Sequence, residues 1–165
     1  MKSPEKTYLT WQNIQDDCET LANNLRDEQF TCIIGVASGG MIPATLLAKK
    51  LKVNKLLSAN LKSYQEDKPR DGAHTTDDIV KVISFPSWEE LKNEKVLVVD
   101  DLADTGLTLR KIKQISIDWE KENQGGYWTY ATLYFKPNSQ FLPKNIVRVF
   151  DKNEWIVFPW EEWDK

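Results

Sequence analysis

"VLVVDDLADTGLTL", Val96–Leu109, decides how this chain is read. Four apolar residues run into two adjacent aspartates, Asp100 and Asp101. Asp104, Thr105, Gly106 and Thr108 follow within eight residues. A continuous β-branched run marks a strand buried on both faces. Its carboxyl end is where open α/β sheets bind ligands. Neighbouring strand residues point to opposite faces, so the two carboxylates are expected to do different jobs: one for sugar hydroxyls, one for a metal ion. A solvated turn accounts for one aspartate there, but poorly for two plus Asp104. The loop then enters a helix, whose first turn offers free backbone N–H groups and a partial positive charge. Hydroxyls at Thr105 and Thr108, with Gly106 allowing close approach, suit that turn to cradle a phosphate; alone it reads equally as an ordinary capped helix, but beside the acidic pair the site reads as sugar hydroxyls, metal and phosphate together.

The rest of the chain supplies the frame. Thr10 reads as a helix N-cap, with Trp11, Ile14, Cys18, Leu21, Ala22 and Leu25 on one apolar face. Residues 31–36, 55–61, 79–85, 95–99, 127–135 and 146–150 have strand character. Helices are predicted at 41–51 and 108–122, with a capped turn at Ser87–Glu90. Strands alternating with helices predict an α/β fold: a central, mostly parallel sheet of about five strands flanked by helices. Residues 62–78 are polar and without period, a long loop of the kind that is usually functional.

Composition narrows the class. The chain has 165 residues, 41% hydrophobic and 28% charged, with net charge −3. One domain over 1–165 is expected. With that charge and no long basic run, a nucleic-acid partner is not expected. Cys18 and Cys32 lack metal spacing and read as buried free thiols. The N-terminus lacks a signal-peptide pattern and no apolar run is long enough to span a membrane, so a cytoplasmic protein is expected. A response-regulator receiver is excluded because its acidic pair would lie near the domain start, and Lys136–Pro137 follows Asp100 too soon. Ser38 lacks the spacing of a hydrolase nucleophile, and no glycine loop ends in the Gly-Lys-Ser/Thr of a P-loop.

The opening stretch resembles the 5-phosphoribosyl pyrophosphate (PRPP) signature of type I phosphoribosyltransferases. The rest is similar to bacterial xanthine-guanine phosphoribosyltransferases: "LTWQNIQDDCETLANNL", "GVASGGMIPATLLAKKL", "KSYQEDKPRD", "YFKP" and "WIVFPWE". The resemblance implies purine salvage, with PRPP and a 6-oxopurine (guanine, xanthine or hypoxanthine) as substrates and Mg²⁺ as cofactor. It implies a homodimer or homotetramer, a hood loop at 63–78, and a small purine-binding hood within 136–165. Asp100 and Asp101 would serve ribose and metal, Asp101 being the preferred metal ligand. Asp104, Thr105, Gly106, Leu107 and Thr108 would hold the 5′-phosphate, with Asp104 also the acid or base near purine N7. Ser38, Gly39 and Gly40 would form the pyrophosphate loop, with a non-proline cis peptide at Ala37–Ser38, and Arg70 would reach PRPP from the hood loop. Lys136, whose ammonium only donates hydrogen bonds, would select an oxygen at C6 of the base. Trp155 would stack on the base and the Ile156 carbonyl would accept from a 2-amino group. The family usually carries a basic residue where this chain has Ser38. The alternative from another class is a non-catalytic PRPP-sensing regulator of the same fold. Such regulators usually add a nucleic-acid-binding module, and none is visible here.

Overall fold

The computed structural model describes residues 4–63, 80–123 and 125–164. Its larger sheet joins β2 (Cys32–Ala37), β3 (Lys55–Ser63), β4 (Val80–Ser84), β5 (Lys95–Ala103), β6 (Tyr127–Phe135) and β7 (Asn145–Val149). The order across it is β4-β3-β2-β5-β6-β7. All pairings are parallel except β3–β4. The expected five-stranded parallel sheet is thus six-stranded, with an antiparallel edge. The direction of β4 has no signature in its own residues.

Burial explains the central strands. Cys32, Ile33 and Ile34 of β2 and Val96 to Val99 of β5 are fully buried, because helices cover both faces. On one face, α1 (Trp11–Leu25) and α2 (Met41–Leu51) pack Ile14, Leu21, Leu25, Ala44 and Leu47 against Ile33, Leu97 and Val99. On the other, Leu109 and Ile112 of α4 (Leu107–Asn123) meet Ile34, Val96, Val98 and Tyr130. Gly35 lets α2 lie close, since a Cβ there would meet Met41 Sδ at 2.5 Å.

Both predicted caps are present. Thr10 accepts from Asn13 N–H (3.1 Å) while Asn13 Oδ1 accepts from Thr10 N–H (2.9 Å). Ser87 and Glu90 form the same reciprocal pair ahead of the one-turn α3 (Trp88–Leu91). Both cysteines are free and buried, and burial pushes each thiol up to about 12. Among the described residues no helix is long and apolar enough to cross a membrane.

Two features depart from expectation. Trp11, placed on the buried face of α1 by its spacing, is 55% exposed. It stands at the first helical position and tilts against Trp160 at 5.9 Å. Asp17, a carboxylate in the middle of that helix, is buried instead. Tyr134 Oη donates to it (2.7 Å) and the Arg148 guanidinium donates at 2.9–3.0 Å, tying α1 to β6 and β7. Burial and the Asp17 charge push the Tyr134 phenol far above its ordinary range.

The hood is a second, two-stranded sheet. β1 (Lys6–Tyr8) pairs in parallel with β8 (Trp155–Val157), so nearly opposite ends of the chain meet. Phe158, just after β8, stacks on Trp160 (4.6 Å) and approaches Tyr134 of β6 (5.8 Å). These contacts seat the hood over the carboxyl end of the main sheet.

Candidate active site

Three loops and the hood converge where β2, β5 and β6 end. Asp100 and Asp101 are partly buried at the end of β5. Asp101 N–H donates to Asp100 Oδ1 (2.9 Å), and Leu102 N–H donates to Asp101 Oδ1 (2.8 Å). Burial, then the Asp101 charge, raises Asp100 well above the carboxylate range. Burial raises Asp101 too, against the lowering effect of the Leu102 N–H that donates to it. Glu161 of the hood adds negative charge at Asp101, and no ion pair among the described residues engages either aspartate.

The β2–α2 turn lies directly against this pair. The Ala37–Ser38 peptide is cis, as expected from the resemblance. A Cβ on Gly39 would fall 2.1 Å from Asp101 Oδ2; one on Gly40 would fall 2.5 Å from the Val36 carbonyl and 2.8 Å from that of Val99. Gly40 is closed in by backbone, whereas Gly39 meets the end of the Asp101 side chain. The turn then opens α2, where Ala44 N–H donates to the Gly40 carbonyl (3.1 Å). A helix N-terminus thus stands beside two carboxylates.

The third loop runs from Asp104 to Thr108. Gly106 has φ +76°, a conformation that only glycine adopts without strain. Its carbonyl accepts from Arg110 N–H (3.0 Å) and starts α4. Thr105 Oγ1 accepts a long bond from Leu107 N–H (3.4 Å). The 139–141 segment, which sequence reasoning missed, braces this loop. Gln140 N–H donates to the Thr105 carbonyl (2.8 Å), and Ser139 Oγ would lie 2.2 Å from a Cβ on Gly106. These contacts span some thirty residues with no local pattern to announce them.

Lys136 follows β6. Its N–H donates to the Ala103 carbonyl (3.1 Å), and its ammonium pairs with Asp104 Oδ1 at 3.4 Å. The lysine side chain is 9% exposed and the aspartate's 50%. Trp155 presents its ring on the hood surface, 59% exposed, and is not core. Trp155 N–H donates to the Glu5 carbonyl (2.8 Å), and the Val157 carbonyl accepts from Leu9 N–H (2.9 Å). The alternation of a parallel ladder therefore turns the Ile156 carbonyl away from β1. The Ile156 side chain is buried. Thr7 Oγ1 donates to the Glu154 carboxylate and locks the two hood strands together. Arg70 and nearly all of the 63–78 loop lie outside the described residues.

A divalent cation can be tested against these groups. Among the described residues no cluster of three or more His, Cys, Asp or Glu could hold a metal alone. Asp100 and Asp101 instead offer hard oxygen donors whose mutual repulsion is uncompensated. That set fits Mg²⁺, which is commonly bound by one or two carboxylates together with substrate phosphates.

Comparison with known proteins converges on one group. A family model described as a phosphoribosyl transferase domain matches residues 5–164. A xanthine-guanine phosphoribosyltransferase of Nitratidesulfovibrio vulgaris is 27% identical over 154 residues, covering 93% of this chain and 83% of that protein. The crystal structure of a purine phosphoribosyltransferase from Pyrococcus horikoshii Ot3 superposes with a TM-score of 0.72 at 32% identity, covering 94% of this chain and 93% of the other. A Helicobacter pylori xanthine-guanine-hypoxanthine phosphoribosyltransferase shares the fold, with a TM-score of 0.76 at 20% identity over 95% and 94% of the two chains.

Proposed function

This chain belongs to the phosphoribosyltransferase family as a purine-type pentosyltransferase, and from that premise we propose that it makes nucleoside 5′-monophosphate and pyrophosphate from PRPP and a 6-oxopurine. The observation that carries the reading is the Lys136–Asp104 pair at 3.4 Å. A nearly buried ammonium and a half-exposed carboxylate stand side by side. They match a base edge with an oxygen acceptor at C6 and an N–H donor at N7. Adenine presents an amino donor at C6, and a buried donor facing a donor can cost ~10⁴–10⁵-fold in selectivity.

The other residues then take consistent places. The 104–108 loop receives the 5′-phosphate on the backbone N–H groups that open α4. Asp100 and Asp101 face the ribose hydroxyls and would hold Mg²⁺, which neutralises pyrophosphate charge when bound. Ser38, Gly39 and Gly40 turn backbone N–H groups to pyrophosphate. Trp155 covers the base, the outward Ile156 carbonyl accepts from a 2-amino group, and Arg70 contacts PRPP. As the bond at ribose C1 breaks, positive charge develops on the sugar and negative charge on pyrophosphate. Held geometry and fixed dipoles stabilise both, and Asp104 handles the proton at N7. The assembly is a homodimer or homotetramer; Trp11, exposed beside Met41, Ile42 and Leu46, supports a buried contact there.

Steady-state assays with guanine, xanthine, hypoxanthine and adenine test the reading. Turnover of at least one 6-oxopurine with release of pyrophosphate, and little with adenine, is expected. PRPP binding without turnover of any purine would favour the sensor, and preference for adenine would overturn the role of Lys136.

A further inference from the structure

We propose that Thr132 is a positioning residue: its hydroxyl, buried on β6, donates to the Asp100 carboxylate in the complex with PRPP and Mg²⁺. The proposal rests on the reading of the acidic pair as the ribose and metal end of the site, and adds to it a residue that touches neither substrate nor metal.

Thr132 is fully buried, and its hydroxyl has no hydrogen-bond partner among the described residues. Such a group gives up water on folding and gains nothing in return. Valine would fill nearly the same space without that cost. The other buried hydroxyls on its flanks are satisfied: Tyr130 donates to Ser116 Oγ at 3.0 Å and Tyr134 to Asp17 Oδ2 at 2.7 Å. Thr132, between them on the same strand, is the exception. β6 is paired on both sides, with β5 and β7. The backbone carbonyls beside Thr132 are therefore spent in the ladders, and a side chain is the better acceptor.

The register of the sheet supplies that side chain. Asp100 of β5 is level with Thr132. Partners in a parallel ladder share a face, and neighbouring strands lie about 4.8 Å apart, a gap that a hydroxyl and a carboxyl reaching toward each other can close. Val96 and Val98 of β5 and Tyr130 of β6 belong to the cluster under α4, so alternation sets Asp100 and Thr132 on that face together. Asp101 turns to the opposite face, where its Oδ2 lies against Gly39. Asp100 Oδ1 already accepts the Asp101 N–H, and the hydroxyl is assigned to Oδ2. The hydroxyl and methyl groups of threonine are similar in size, so one staggered step about χ1 exchanges them within the same buried volume. Full burial keeps Thr132 off the substrate. A hydrogen bond to a carboxylate is among the stronger kinds, and here it would fix the plane of a group assigned to ribose and metal.

The test uses the intact chain with Thr132→Val and Thr132→Ser. Valine keeps the shape and removes the hydroxyl; serine keeps the hydroxyl and removes the methyl. Melting temperature is read without PRPP or Mg²⁺, PRPP affinity by calorimetry at fixed Mg²⁺, and KM for the purine in steady state. Thr132→Val should melt at or above the unaltered chain, because a buried hydroxyl without a partner gives way to a methyl group. It should nevertheless bind PRPP roughly tenfold more weakly, as expected for losing a hydrogen bond to a charged group. Thr132→Ser should do the reverse: a lower melting temperature from the space the methyl leaves, with PRPP affinity near that of the unaltered chain. Purine KM should hold in both, whereas a general disturbance of β6, which leads to Lys136, would raise it and count against the proposal. Unaltered PRPP affinity in Thr132→Val would overturn it. So would equal losses of affinity in the two variants, which would make packing the cause. A sharply lower melting temperature in Thr132→Val would also overturn it, since the hydroxyl would then be bonded in the protein alone. Failure of the unaltered chain to bind PRPP would overturn the substrate reading itself, and the role of Thr132 with it.

Discussion

Gly39 and Gly40 are adjacent, yet an added methyl should act on different properties at each. At Gly40 the Cβ would meet only backbone: the Val36 carbonyl at 2.5 Å, the Val99 carbonyl at 2.8 Å and Asp100 Cα at 3.0 Å. Ordinary contact begins near 3.4 Å, so the closest approach is about 0.9 Å too short. None of these atoms can rotate away, and β2 and β5 are the buried centre of the sheet. The turn must lift or the strands must part. Overpacking of this kind costs about 1–3 kcal/mol; at roughly 2–4 °C per kcal/mol for a chain of this size, Gly40→Ala should lower the melting temperature by roughly 2–12 °C. At Gly39 the clash is with Asp101 Oδ2 at 2.1 Å, the end of a side chain that can turn. Gly39→Ala should therefore melt close to the unaltered protein while displacing the expected metal ligand. A misplacement near 1 Å can cost about 10²-fold in rate, and the Mg²⁺ concentration for half-maximal activity should rise. Thermal melts with steady-state assays over a Mg²⁺ series separate the two. Equal destabilisation by both variants, or an unaltered Mg²⁺ requirement in Gly39→Ala, would refute the assignment of Gly40 to packing and Gly39 to the carboxylate.

Four further outcomes follow from the same geometry. Asp104→Asn should lower kcat by roughly 10²–10⁴-fold if Asp104 moves the proton at N7; near-normal turnover would remove it from that role. Lys136→Gln can both donate and accept at C6, so the ratio of kcat/KM for guanine over adenine should fall, and an unchanged ratio would sink the selectivity argument. Asp100 is raised in the folded state, so its contribution is intact below the unfolded carboxylate value and is lost as pH rises through the folded one. Asp100→Asn should then match the metal-free protein in stability near pH 4 and exceed it increasingly toward neutrality, while losing activity; parallel curves would deny the strain. Asp17→Ala strands the Tyr134 hydroxyl and leaves Arg148 without its partner. Because that guanidinium is half-exposed, we expect a loss of about 2 kcal/mol, read as a lower melting temperature with PRPP affinity little changed.

What could be read from the chain depended on how far apart the interacting groups lie. Val96–Leu109 carries strand, acids, loop and helix start in fourteen consecutive residues, so its local structure was legible. Thr10 and Ser87 announced their helices because a capping partner lies three residues away. Asp17 had no such signal: its partners, Tyr134 and Arg148, come from more than a hundred residues later. β1 is three residues long and gains its identity only by pairing with β8. Trp11 fitted the apolar stripe by spacing, yet at the first helical position it stays exposed and meets only the edge of the hood at Trp160. The 139–141 brace was invisible because its contacts, backbone and side chain alike, join segments some thirty residues apart.

The site is held out of electrostatic balance by a frame that does not yield. Two carboxyls share one strand end with their ordinary ionisation opposed, and the cation nearest the third acid is already paired with it. Such a cluster would rearrange on a loop, but here its backbone sits on strands whose interior residues are fully buried and against a turn that leaves no room for a methyl group at Gly40. The imbalance is therefore relieved by binding instead of by local motion. Under the proposed function, Mg²⁺ and PRPP together would supply the cation and the phosphate oxygens that complete the acidic pair. The ligand-free protein should consequently be the less stable form. At PRPP one hundred times above its dissociation constant, mass action alone adds about 2.7 kcal/mol. If metal and PRPP meet at the same carboxylates, as proposed, neither alone should give the stabilisation that both give together.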